Sequence, residues 1–149
     1  MATLPTTTTH ATSSRISQAS PTNTVKNIAE VAGRSLLALL FLLSGLGKIG
    51  AYEATATYMS AVGVLGALLP VVIAAEVFGA IAIILGWQTR VAALLLAGYT
   101  LLAALIFHTN FADQIEMIMF LKNVSIAGGF LLLVVHGAGP LSLDRRLAK

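Results

Sequence analysis

Five polar side chains lie inside or beside long apolar runs of this 149-residue chain: Lys48, Glu76, His108, Lys122 and Asn123. An ionised group at the centre of a bilayer costs about 2.5–3.5 kcal/mol on insertion scales, so Glu76 requires a compensating cation or hydrogen-bond donors. A carboxylate met by lysines, a histidine and an amide can relay protons, hold a cation, or sit beside donors that bind a quinone oxygen. It can equally do no more than fix the register of the helices that carry it.

Other chemistries find no support. The chain has no cysteine, which removes thiolate nucleophiles and cysteine-ligated iron–sulfur or zinc sites. No HExxH or nucleotide-binding glycine motif occurs, and no metal site is expected. The SGLGK segment at 44–48 lacks the spacing of a phosphate loop and the Ser/Thr that would follow it. His108 and His136 fall at opposite ends of the expected membrane layer, and His10 is in the N-terminal tail, so no pair of them serves one haem. No catalytic residue can be assigned.

The elements that must position these groups are membrane helices. Hydrophobic residues make up 57% of the chain and charged residues 10%, against about 25% charged in a soluble domain. The expected fold is all-α, a four-transmembrane-helix bundle running up-down-up-down, with spans at about 31–49, 64–86, 91–107 and 115–136. Residues 1–26, rich in Thr and Ser, are expected to be a disordered tail, and 27–147 to be the membrane domain. Only Arg15 is basic in the first 24 residues, which makes a transit peptide a poor match. A short interfacial helix is expected between the first two spans, where Tyr52 and Tyr58 suit the membrane surface. Pro70 either kinks the second span or marks a later start. Ser44, Gly45, Gly79, Gly128 and Gly129 are small enough to let helices approach closely.

With both termini cytoplasmic, Arg34, Arg90, Arg145 and Arg146 lie on the inner side as topology charges, and Arg34 snorkels from its span. Lys48, His108, Lys122 and Asn123 then share the outer half, above Glu76. Counting from the expected span starts, Glu76 lies about 18 Å down and Lys122 about 10 Å down at 1.5 Å per residue. Lys122 is the first candidate for the cation of Glu76, and Lys48 the second. The basic residues are scattered, so no nucleic-acid partner is expected.

Three blocks resemble one family. RSLLALLFLLSGLGK in the first span, AAEVFGAIAIILGWQTRVAALLLA across the second and third, and FLKNVSIAGGFLLL in the last are similar in order and spacing to the DoxX family over about residues 30–147. The matching positions are Arg34, Ser44, Gly45, Lys48, Glu76, Gly79, Gly86, Arg90, Lys122 and Asn123. The resemblance implies a four-helix protein of the bacterial inner membrane. The family is named for the small subunit of a quinone-linked oxidoreductase, and some members are associated with membrane redox or thiol-stress complexes.

Three functional expectations follow. The first is a non-catalytic or quinone-linked subunit of an oxidoreductase or redox-stress complex. It would have no intrinsic cofactor, quinone as a possible ligand, and a polar pocket in the outer half of the bundle. The second is a small oligomeric transporter or channel using Glu76. The third is a structural or assembly subunit in which the polar cluster only sets packing. The lipid bilayer, oxidoreductase subunits and further copies of the chain are the expected partners.

Overall fold

A computed structural model describes residues 21–148, entirely as helices, turns and loops. Six helices follow in order: α1 (Pro21–Gly50), α2 (Tyr52–Ala61), α3 (Leu69–Leu85), α4 (Thr89–Phe107), α5 (Gln114–His136) and α6 (Leu143–Leu147). Four of them, α1, α3, α4 and α5, are long and apolar enough to cross a membrane. The expected all-α four-helix membrane bundle is the fold observed.

α1 begins earlier than its apolar run. Residues 21–26 are helical and do not belong to a disordered tail; residues 1–20 lie outside the described part of the chain. At 30 residues α1 is about 45 Å long, more than the roughly 30 Å hydrocarbon layer needs. About its first three turns therefore project beyond the layer, and there Lys26 faces Glu30 one turn on, at 3.8 Å.

α2 follows after one residue and packs lightly on α1 and α3. A left-handed Gly63 (φ 83°) and a 3-10 turn at Gly66–Leu68 then lead into α3. Pro70 falls in the first turn of α3, where its missing N–H has no intrahelical partner to lose. The proline thus marks a late start, with no kink. α3 ends at Gly86, which is left-handed (φ 68°). The Trp87 amide bonds to the Ala82 carbonyl at 2.9 Å, the reversed pattern that closes a helix on a glycine. A side chain at Gly86 would also run into Ser142.

α3 packs on α1 and α4, and α5 packs on α4 and meets α1. The core between them is built on Ala38, Ala80, Ala93, Ala97 and Ala127, with Phe41, Ile83, Leu96 and Phe130 filling the space the alanines leave. Phe41 meets Phe130 edge-on at 5.3 Å and Tyr99 at 6.3 Å. Large apolar residues such as Leu36, Val71, Phe78, Leu95 and Leu132 point outward, which water would penalise and acyl chains do not.

The C-terminal segment folds back over the end of the bundle. Left-handed Gly137 (φ 76°) and Gly139 (φ 79°) turn the chain after α5, and α6 docks against the α3–α4 turn. Asp144 is the fastener. Its two oxygens accept the amides of Gln88 at 2.7 Å and Thr89 at 2.9 Å, and its own amide donates to Gly86 at 2.8 Å. Burial opposes ionisation of Asp144, but the Thr89 and Gln88 amides and the Arg34 charge outweigh it and hold the carboxyl below the usual carboxylate range.

Arg34 is not a snorkelling topology charge. It is 4% exposed, and its guanidinium donates to the carbonyls of Ala138 and of Leu141, the latter at 2.6 Å. The turn at Gly137 and Gly139 brings those carbonyls onto α1, and the fork geometry of arginine suits two of them at once. Arg90, Arg145 and Arg146 are exposed at this same end.

Candidate functional site

The polar groups that meet inside the bundle come from α1, α3 and α4. Glu76 is 3% exposed. It lies seven residues into α3, about 10 Å from the helix start. Lys48 is in the last turn of α1. Because α1 and α3 run in opposite senses, the last turns of one lie beside the first turns of the other. The Lys48 ammonium donates to both carboxylate oxygens of Glu76, each at 2.9 Å, and to the Ser44 hydroxyl at 2.6 Å. Ser44 is 3.4 Å from Glu76 Oε1. From α4, the Tyr99 hydroxyl donates to the same oxygen at 2.6 Å.

Gly45 makes this approach possible. A Cβ there would lie 2.7 Å from Val77 Cγ2 and 3.2 Å from Glu76 Cβ, so α1 reaches α3 only because residue 45 has no side chain. Gly79 does the same for Leu96 across the α3–α4 contact, and Gly129 for Leu37 across the α1–α5 contact. Gly128, expected to be a packing glycine, faces open space, since Ala127 and Phe130 take the buried face of α5.

Lys122 is not the cation of Glu76, and it does not belong to a buried cluster. It is exposed, with Met119 Sδ at 3.1 Å as its neighbour. Two causes act together. α5 packs on α4 and α1, leaving little contact with α3. Adjacent Asn123 turns toward the bundle, and one residue is about 100° of helix rotation, which carries Lys122 out of it. Asn123 itself donates to the Met119 carbonyl at 2.9 Å and does not reach Glu76. His108 also stands apart, paired at the rim with Glu116 at 2.8 Å. Of the five residues, the fold brings Lys48 and Glu76 together and leaves His108, Lys122 and Asn123 elsewhere.

Tyr99 was not singled out by the sequence. Its signal was available: it is the one aromatic hydroxyl inside the third span, and a buried tyrosine hydroxyl ordinarily finds a partner. The arrangement as a whole is a carboxylate saturated by an ammonium and a phenol, with a serine hydroxyl bridging. The Lys48 side chain is 23% exposed against 4% for that of Glu76, so the cation forms the accessible edge of the network. The three N–H donors of Lys48 are all used, on Glu76 Oε1, Glu76 Oε2 and Ser44 Oγ, so a ligand oxygen takes one only by displacing an existing partner.

By family model, comparison with known proteins covers the first two of the three blocks and stops before the third. The DoxX family model matches residues 29–109. The chain is 46% identical over 125 residues to inner membrane protein YqjF of Escherichia coli (strain K12), covering 84% of this chain and 96% of that protein. It is 43% identical over 120 residues to inner membrane protein YphA of the same organism, covering 76% and 86%. No solved structure matches it.

Proposed function

The chain belongs to the DoxX family, and from that premise we propose that it is a non-catalytic, quinone-linked subunit of a membrane oxidoreductase or redox-stress assembly in the bacterial inner membrane, with both termini cytoplasmic. The single observation that supports this reading is the Lys48–Glu76–Tyr99 network, a proton-bearing cluster buried in an apolar bundle with its ammonium at the open edge. Ionisable groups kept inside membrane spans ordinarily mark proton or ligand paths.

In this reading the redox centre belongs to a partner subunit. Conversion of a quinone to a quinol takes two electrons from that partner and two protons. Lys48 turns the N–H now given to Ser44 toward a quinone oxygen, Glu76 and Tyr99 hold the ammonium in place, and both protons come from water through the partner subunit. Purification in mild detergent, with mass spectrometry of bound quinone and of copurifying proteins, tests it. Quinone together with an oxidoreductase subunit is expected, and quinone occupancy should fall in Glu76→Gln. A protein carrying neither overturns the reading.

One observation favours a second, structural reading: Glu76 is already saturated by donors from within the bundle. If the cluster only sets packing, Lys48→Met combined with Glu76→Gln leaves the in-cell phenotype intact while Lys48→Met alone lowers the amount of folded protein. The transporter alternative requires proteoliposome flux that Glu76→Gln abolishes.

A further inference from the structure

Two cavities adjoin at Gln88. The first, about 650 Å³, opens at the end of the bundle where α1 starts and α6 docks, and Lys26, Arg90 and Arg145 stand around it. Of the two carboxylates on its wall, Asp144 is engaged by two backbone amides. Glu30 has Lys26 3.8 Å from Oε1 and a buried Oε2 without a hydrogen-bond partner among the described residues, so Lys26 offsets Glu30 and the net positive charge comes from the arginines. Arg90 and Arg145 have no acidic partner among the described residues. The second cavity, about 270 Å³, is an apolar groove on the outer face of α3 and α4, lined by Phe78, Ala82, Val91 and Leu95 among others and ending at Tyr99. Gln88 lines both. From Gln88 to Tyr99 the groove descends about 16 Å along α4 at 1.5 Å per residue.

The level of the polar cavity is that of lipid headgroups. Trp87, half exposed, lines the apolar groove beside Gln88, and tryptophan favours the membrane interface. Below it, the groove points into the hydrocarbon layer. Gln88 itself is held left-handed (φ 46°), a conformation uncommon outside glycine and worth a functional explanation. Asp144 fixes that strained turn, and Arg145, one residue on, lines the same cavity as Arg90.

We propose that these two cavities form one site for an anionic phospholipid, with its phosphate among Lys26, Arg90 and Arg145 and an acyl chain in the α3–α4 groove. The groove touches the Glu76 network only where it ends at Tyr99, and the headgroup end does not depend on the quinone reading. Basic pockets at the ends of membrane helices bind acidic headgroups, and each nearby cation contributes about 1 kcal/mol, or roughly five-fold in affinity.

The test is native mass spectrometry and thermal unfolding of the delipidated full chain, titrated separately with phosphatidylglycerol, phosphatidylcholine and inorganic phosphate. Phosphatidylglycerol should bind and raise the unfolding temperature more than phosphatidylcholine. Arg90→Gln with Arg145→Gln should weaken phosphatidylglycerol by about 30-fold on that scale, while Arg90→Lys with Arg145→Lys keeps the preference and shows that the segment still folds. Ala75→Leu, which fills the groove from α3, should weaken the lipid and leave any binding of inorganic phosphate alone. Equal binding of the two lipids, or a phosphatidylglycerol preference that survives the double glutamine variant, overturns the proposal. Inorganic phosphate matching the lipid's effect, with no response to Ala75→Leu, overturns the acyl-chain half and leaves a phosphate-ion site.

Discussion

Replacing Lys48 with Met keeps the apolar stem and removes the ammonium, leaving a carboxylate 3% exposed with Tyr99 and Ser44 as its donors among the described residues. Breaking a buried ion pair from one side costs about 3–5 kcal/mol, because the remaining charge has lost its partner. A ceiling comes from proton uptake: neutralising a free glutamic acid at pH 7 costs about 3.7 kcal/mol, and a strained carboxylate takes that route once it is cheaper. A loss of roughly 3 kcal/mol is therefore expected for Lys48→Met. Glu76→Gln is milder, about 1–2 kcal/mol, since it strands a lysine that keeps Ser44 at 2.6 Å and can turn its partly exposed ammonium toward water. The double variant should be more stable than Lys48→Met alone. Equilibrium unfolding in mixed micelles, followed by helical circular dichroism, measures all three. Equal losses in the two single variants, strictly additive in the double, would refute the asymmetry argued from burial.

Tyr99→Phe removes one donor from an ionised acceptor and should cost about 1.5–3 kcal/mol in the same assay, without changing helix content. Gly45→Ala places a methyl against Val77 and should cost about 1–3 kcal/mol, most of it recovered by adding Val77→Ala. For Asp144 the carboxyl is held low in the folded chain, so its contribution is full above the ordinary aspartate range near pH 3.9 and is lost as pH falls through the lower folded value. Hydrogen exchange at the Gln88 and Thr89 amides should accordingly be slow in the native chain at pH 7. Protection should be lost in strong acid, and lost already at pH 7 in Asp144→Ala.

The apolar runs alone determined that the chain is a four-helix membrane bundle, because the bilayer sets a length and an apolar helix must meet it. The observed helices 69–85, 89–107 and 114–136 differ from the expected spans only at their ends, and chiefly where Pro70 marks a start that hydropathy cannot register. The sequence also showed that Glu76 needed a partner, since the cost of a charge in hydrocarbon does not depend on the neighbours. Which partner it found was decided by the tertiary structure. Counting residues gives depth but neither the rotation of a helix nor the order of helices around the bundle, and Lys122 was at a workable depth on the wrong helix and the wrong face. Gly45 set how near α1 could come, which made Lys48 the cation, and the packing of α4 beside α3 brought in Tyr99. The return of the C-terminal segment over Arg34 was likewise invisible in one dimension. It depends on carbonyls at 138 and 141 meeting a side chain more than a hundred residues earlier, and no local pattern encodes a contact of that range.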